Sequence, residues 1–440
     1  MTFSSQCLLE SLSAAAAGSK LLVGYSGGLD SHVLLHALVT LVGQQKLSIE
    51  LEAIHVHHGV NKEADEWVLH CQKVCRDLNV PLIVRYVEDV PRQASLENQL
   101  RQARYRIFDS LLKAGDQLAL AHHADDQAET LLMRMIRGAG PQGLSGMPPR
   151  RPLGKGHLIR PLLNVARADL EVYALEQGLS WVEDNSNQDD RFDRNYLRHK
   201  VMPQLVERWP HFRETFSRNA QVCADANHAL DFFLERELLP VMQACQGGLS
   251  CQWLQGFELS VQQNLLRAWL KQLVLPLPGA KHLQQIIDEV LEAAHDASPK
   301  LTWPGVEVHR FKGVLYAFQA LKNFASEGVW KGLPGKIVDV AGVGQISCQR
   351  TINKGLLIPE NATVEVRFRQ GGERCRVAGR DHSKPLKKLL QELGVPTWLR
   401  ERVPLIYVGG ELAAVADFLI CEGFAANDGQ QGWLVQWQRP

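Results

Sequence analysis

Residues Leu21–Ser31 read Leu-Leu-Val-Gly-Tyr-Ser-Gly-Gly-Leu-Asp-Ser, and they restrict the fold more than any other stretch of the chain. An apolar run suited to a buried parallel strand (Leu21, Leu22, Val23) meets a turn of small residues, Ser26, Gly27 and Gly28. A helical pattern then starts at Asp30, with apolar residues at Val33, Leu34, Leu35 and Leu38. In such a strand–turn–helix the glycines let the backbone approach a polyphosphate, and the amides of the first helical turn face the anion. Asp30 at the helix entrance can hold the Mg2+ that accompanies phosphates. Neither the Gly-x4-Gly-Lys-Ser/Thr spacing of a Walker loop nor a Gly-x-Gly-x-x-Gly dinucleotide turn is present. A turn serving only chain reversal requires neither the Asp nor the two serines.

From Leu21 to about Pro203 strand and helix signals alternate, which predicts an α/β domain with a parallel sheet. The strands are expected at Leu21–Tyr25, Leu51–Val56, Pro81–Val87 and Gln117–Ala121, and the helices at Asp30–Val42, Ala64–Leu78, Glu97–Lys113 and Asp125–Arg137. Polar motifs follow three strand ends: Ser26–Ser31, His55-Val-His57-His-Gly59, and His122-His-Ala-Asp-Asp126. Ligands bind beyond the carboxyl ends of parallel strands, so these distant motifs are expected to converge on one crevice. From Phe212 to about Glu292 the pattern is helical, and a hairpin follows over Val306–Phe318 with Lys312-Gly313 at its turn. Gly-rich sequence to about Asn361 reads as a connector, and the remainder as a small α+β domain.

At 440 residues with 48 basic and 48 acidic side chains, the chain is expected to fold as a soluble protein of two to four domains. Nine cysteines without a Cys-x-x-Cys pair argue against a disulfide framework, a zinc ribbon or an iron–sulfur site. No basic leader and no long apolar run is evident, which predicts a cytoplasmic enzyme without a membrane partner. Zero net charge means that nucleic-acid binding must rest on local patches.

Asp126 and Glu129 lie three apart on a predicted helix and share a face, with Asp125 at its entrance. Such carboxylates serve as a cap, a metal ligand or a site for a cationic substrate. Zinc is disfavoured because the adjacent His122 and His123 diverge and no His-x3-His or Cys partner accompanies them. Basic residues form further groups. Arg101, Arg104 and Arg106 decorate one helix, and Arg191, Arg194, Arg198 and Lys200 cluster after Asp184. Between Arg367 and Arg402 ten Lys/Arg face four acids, and Arg369, Arg374, Arg376, Lys387 and Lys388 are candidates for RNA phosphates. Surface ion pairing accounts equally for many of these arginines.

Taken in order, Ser-Gly-Gly-Leu-Asp-Ser, His-Val-His-His-Gly-Val, Arg101-x-x-Arg104-Tyr105, Ala121–Gly138 continuing through Gly143-Leu-Ser-Gly-Met147, and Asp184-Asn-Ser-Asn187…Arg194-Asn195…Arg198…Pro203 resemble one family. It is the tRNA(Ile)-lysidine synthases, within the N-type ATP pyrophosphatases. The departures are small: Val60 stands where Leu is usual, and Leu100 where a small residue is common.

The resemblance implies an adenine nucleotide α-hydrolase-like (PP-loop, Rossmann-like) catalytic domain over 1–215 and a mainly helical tRNA- or substrate-binding domain over 216–325. A connector at 326–360 and an α+β tRNA-binding domain over 361–440 complete the expected plan. It also implies ATP-dependent ligation of L-lysine to the wobble cytidine of a minor tRNA(Ile) with anticodon CAU, through an adenylated intermediate, with no obligate protein partner. Ser26, Gly27, Gly28, Leu29, Asp30, Ser31, His55 and His57 would bind ATP, with Asp30 on Mg2+. Asp30, Arg104, Arg194 and Asn195 would be catalytic, Asp125, Asp126 and Glu129 would bind lysine, and Arg101, Arg198 and the C-terminal basic residues would bind tRNA. Two rivals stay open: a PP-loop tRNA thiolase and a non-catalytic nucleotide- or RNA-binding module.

Overall fold

The computed structural model describes residues 3–12, 20–59, 63–87, 96–183, 189–294, 297–331, 334–360, 362–380 and 382–439. Val60 and the stretch from Asp184 to Asn187 lie outside them. The chain divides into two compact units, Met1–Leu230 and Asp231–Pro440.

The first unit is built on a six-stranded sheet of β1 (Lys20–Gly24), β2 (Glu50–His57), β3 (Leu82–Tyr86), β4 (Gln117–Ala119), β5 (Arg150–Leu153) and β6 (Gly156–Ile159). The order is β3-β2-β1-β4-β6-β5, parallel throughout except for β5, which runs antiparallel to β6. Alternation along β1 explains why both faces are covered. Leu21 and Val23 join one core with Val33, Leu34, Leu38 and Tyr173, whereas Leu22 joins Ile54, Phe108, Leu118 and Leu158 in another. The helices are α1 (Leu8–Leu12), α2 (Leu29–Gly43), α3 (Ala64–Asp77), α4 (Leu96–Leu111), α5 (Ala124–Ile136), α6 (Pro141–Leu144), α7 (Arg167–Glu176), α8 (Asp193–Tyr196) and α9 (Met202–Arg208). The expected strands and helices of the alternating region are present, with ends shifted by one or two residues. The β5–β6 hairpin was not expected. Pro152 and two arginines disguise β5, and an edge strand is where a sheet tolerates proline.

In the second unit, helices Leu259–Gln272 and Ala280–Gln285 pack with a four-stranded sheet around fully buried Trp269. Lys312 and Gly313 both have positive φ, 50° and 75°, as a two-residue hairpin turn requires. The stretch expected as a connector contains Gly344–Ile352, which pairs antiparallel with Gln431–Gln438 from Gln345↔Gln438 to Ile352↔Gln431. A further sheet orders Trp330–Lys331, Val364–Arg367, Leu405–Val408, Glu411–Val415 and Leu419–Ile420. One disulfide joins Cys375 to Cys421, a pairing that spacing alone does not suggest. Among the described residues no helix is long and apolar enough to cross a membrane.

Candidate active site

Strand order reverses at β1: β2 and β3 lie on one side, β4 and β6 on the other. That reversal opens a crevice at the carboxyl ends of β1 and β4, the position at which open α/β sheets take ligands. The loop after β1 is cross-tied. The Gly28 amide donates to Ser26 Oγ at 3.3 Å, the Ser26 amide donates to Ser31 Oγ at 3.2 Å, and Ser31 Oγ donates to the Gly28 carbonyl at 3.0 Å. These bonds hold the turn against the first turn of α2, whose leading amides have no acceptor within the helix. Gly27 has φ +85°, and a Cβ there would stand 3.0 Å from Val182 Cγ2 and 3.1 Å from Cys71 Sγ. Only glycine fits both the conformation and the space.

The histidine motif borders this loop. His55 is buried with Nδ1 3.0 Å from the Tyr25 carbonyl, so that nitrogen carries the proton. Burial lowers its pKa and that of His58, which falls to about 4; the Arg104 guanidinium adds to both shifts. Arg104 therefore lies on the histidine side of the crevice. His57 Nε2 sits 3.3 Å from Asp65.

His123 connects the loop to α5. Its Nε2 lies 3.6 Å from Asp30 Oδ2 and 3.4 Å from Asp126 Oδ2, and its amide donates to Asp126 Oδ2 at 3.1 Å. Burial works against a charged His123, but Asp126, Asp30 and Asp125 outweigh it and raise its pKa. Asp30 Oδ1 is buried without a hydrogen bond, with Arg167 Nε 3.9 Å away. A carboxylate oxygen left open at a helix entrance is a suitable donor for a divalent cation. Among the described residues no three His, Cys, Asp or Glu side chains group as a metal site. Phosphate oxygens and water would have to complete the shell, as is usual for Mg2+.

Every acid expected to meet lysine already has an arginine partner. Arg194 donates through Nη2 to Asp126 Oδ1 at 2.7 Å and through Nε to Glu129 Oε2 at 2.8 Å. Arg198 donates through Nε to Glu129 Oε1 at 2.7 Å and through Nη2 to Asp126 Oδ1 at 3.1 Å. Glu129 is only 1% exposed. Burial penalises the Asp126 carboxylate, yet His123, Arg194, His122 and Arg198 together hold its pKa down to about 2. Asp125 accepts from Arg213 Nε and, at 2.9 Å, from the Arg167 amide. No spacing pattern in the sequence points to Arg167 or Arg213. The Asn195 side-chain amide donates to the Asp189 carbonyl at 3.0 Å, bracing its own segment. Asp30, Asp126, Glu129, Arg194 and Arg198 thus form one continuous network through His123.

Three family models match the chain in order: a PP-loop domain over residues 1–205, a TilS substrate binding domain over 249–316 and a TilS substrate C-terminal domain over 364–437. The tRNA(Ile)-lysidine synthase of Coxiella burnetii is 40% identical over 443 residues, covering 100% of this chain and 97% of its own length. Those of Legionella pneumophila strain Lens and Serratia proteamaculans are each 40% identical, over 94% and 95% of this chain and 95% of their own lengths. The chain belongs to the tRNA(Ile)-lysidine synthase family.

The sulfur chemistry of a thiolase finds no support in this lysidine synthase family member. Cys71 and Cys75 near the loop are buried, and burial pushes both thiols up to about 12, away from the reactive thiolate. Of the C-terminal basic residues, Lys387 and Lys388 are exposed on the helix Leu386–Glu392. Arg374 Nη2 donates to the Ser383 carbonyl at 2.7 Å, Arg376 Nε to the Arg380 carbonyl at 3.1 Å, and Arg369 Nε lies 3.8 Å from Glu373.

Proposed function

We propose that this chain converts the wobble cytidine of a minor tRNA(Ile) bearing anticodon CAU to lysidine, using ATP and L-lysine, in the cytoplasm. In the first step the O2 of cytidine attacks the α-phosphorus of ATP, and pyrophosphate leaves. In the second, the side-chain amine of lysine attacks C2, the C2–O bond to AMP breaks, and the amine loses a proton. A urea-like carbonyl has no leaving group, and adenylation supplies one.

The loop Ser26–Ser31 receives the phosphates at the α2 amides, with His55 and His57 beside it. Asp30 holds Mg2+, which neutralises charge on the phosphates when bound. Arg104, Arg194 and Asn195 serve the adenylation step, arginine forks being suited to phosphate and developing negative charge. Asp125, Asp126 and Glu129 receive lysine. Because arginines neutralise these acids, a lysine ammonium must replace a guanidinium to reach them. Free lysine has a side-chain pKa near ~10.4, so on the order of one molecule in a thousand is nucleophilic near neutral pH. A carboxylate that grips the attacking ammonium would deepen that handicap. The acids therefore hold the other amine or accept the proton as the bond forms. Arg101, Arg198, Arg369, Arg374, Arg376, Lys387 and Lys388 hold the tRNA.

The observation that carries this reading is the network joining Asp30 to Glu129 and Arg194 at the sheet's switch point, in a chain with the family's three domains in order. Incubation with ATP, labelled lysine and candidate tRNA transcripts, followed by nucleoside analysis, tests it. Lysidine in tRNA(Ile) is expected, and sulfur incorporation or no product would refute it.

A further inference from the structure

A second arginine cluster lies beside the first and is balanced differently. Arg160 directly follows β6, on the same carboxyl edge as Ser26 and His122, and is 4% exposed. Its Nη1 donates to the Pro148 carbonyl at 2.6 Å, but its Nε is buried with no partner. Arg101 from α4, Arg134 from α5 and Arg151 from β5 join Arg160 and Tyr105 around a cavity of about 350 Å3. Whereas Arg194, Arg198 and Arg213 are matched by carboxylates, none of these four arginines is in an ion pair among the described residues. Four guanidiniums converging on one cavity, with no carboxylate paired to them among the described residues, repel one another, and an anion would relieve that repulsion.

The cavity suits a phosphodiester better than a base. The Arg101 and Arg151 guanidinium carbons lie 5.5 and 5.1 Å from the Tyr105 ring centre, so the aromatic surface already carries two cations and is not left for stacking. Guanidinium forks match phosphate oxygens bidentately. The location also fits. Strand β4 separates β6 from β1, which puts the carboxyl ends of β6 and β1 roughly 10 Å apart at two strand spacings. His122 is within reach of the charges of both arginine clusters. Burial pushes its pKa down to about 3, with Asp126 opposing and Arg160, Arg194 and Arg101 contributing to the shift.

We propose that the cavity lined by Arg101, Arg134, Arg151 and Arg160 around Tyr105 is an oxyanion site for one backbone phosphate of the tRNA anticodon loop next to the target cytidine. The choice of tRNA as the source of the anion rests on the function proposed above. A base drawn out of its stack must have its flanking backbone gripped, and phosphate contacts supply position rather than sequence readout.

The test pairs a protein variant with a substrate change. Lysine ligation is followed for the intact chain and for R151Q, using tRNA transcripts that carry one uncharged methylphosphonate linkage at successive anticodon-loop positions. At one position the linkage should raise the tRNA KM of the unaltered protein about tenfold. R151Q should do the same with unmodified tRNA, the two together should add nothing further, and the ATP KM should stay put. Additive losses at every position would overturn the pairing. Weaker inhibition by pyrophosphate with an unmoved tRNA KM would overturn tRNA as the source of the anion. If R151Q and R101Q both leave tRNA KM and pyrophosphate inhibition unchanged, there is no oxyanion site. Should the unaltered protein form no lysidine, the proposed function fails and not the cavity. Salt-dependent binding of the tRNA then decides, its slope expected to drop by about one for each arginine removed and an undiminished slope overturning the site.

Discussion

His123 Nε2 lies 3.6 Å from Asp30 Oδ2, joining the end of β4 to the phosphate loop after β1. Through that contact the loop meets Asp126, and through Asp126 it meets Arg194 and Glu129. Segments far apart in the chain therefore share one electrostatic network.

Glu129→Gln tests the proposed role of that network in receiving lysine. The variant keeps the shape of Glu129 and removes a charge that Arg194 and Arg198 both grip. Lysine ligation should fall ~10–100-fold while tRNA adenylation, followed with ATP labelled at the α-phosphate, persists. Leaving two arginines short of a buried partner should also cost ~3–5 kcal/mol of stability, read as a lower urea midpoint. Two normal half-reactions would remove Glu129 from the lysine site.

Arg194→Ala is expected to slow adenylation more than it weakens tRNA binding, because a guanidinium serving the phosphates acts on the reaction and not on docking. Single-turnover adenylation and filter binding measure the two separately. An unchanged adenylation rate would reduce Arg194 to a structural counter-ion of Asp126.

Much of this arrangement is legible in the sequence, for a local reason. A phosphate loop needs Ser26, Gly27, Gly28 and Asp30 adjacent to one another at a strand–helix junction, and the alternating apolar pattern of β1 and α2 is equally local. The pairing of Arg194 and Arg198 with Asp126 and Glu129 is long-range, so the residue spacing shows two charged groups but not that each neutralises the other. Strand Gly344–Ile352 was hidden because much of it is exposed, with few apolar positions to mark a buried face. The β5–β6 hairpin was hidden by Pro152, and with it the placement of Arg151 and Arg160.

Acid should expose the Asp126 contribution. Its folded pKa, about 2, lies below the ordinary value of 3.8, so the stabilisation is complete above 3.8 and lost as pH falls toward 2. The shift corresponds to ~2–3 kcal/mol. In urea unfolding, the stability gap between the unaltered chain and Asp126→Asn should narrow across that window. A gap that is constant with pH would show that Asp126 is not held ionised by its neighbours.

Exposed Lys387 and Lys388 address the C-terminal contribution to tRNA binding. Replacing both with alanine should reduce the slope of log affinity against log salt by about two and weaken binding similarly for all tRNAs. An unchanged slope would remove this helix from the tRNA surface.

The proposed role of the network around Asp30, Glu129 and Arg194 is to join lysine to an adenylated cytidine. Incorporation of radiolabelled lysine into tRNA(Ile) transcript, measured with and without ATP and followed by nucleoside analysis, decides it. ATP-dependent lysidine is expected at the wobble position, with one AMP and one pyrophosphate released per lysine joined. Incorporation without ATP, or pyrophosphate release with no lysine attached to the base, would contradict it.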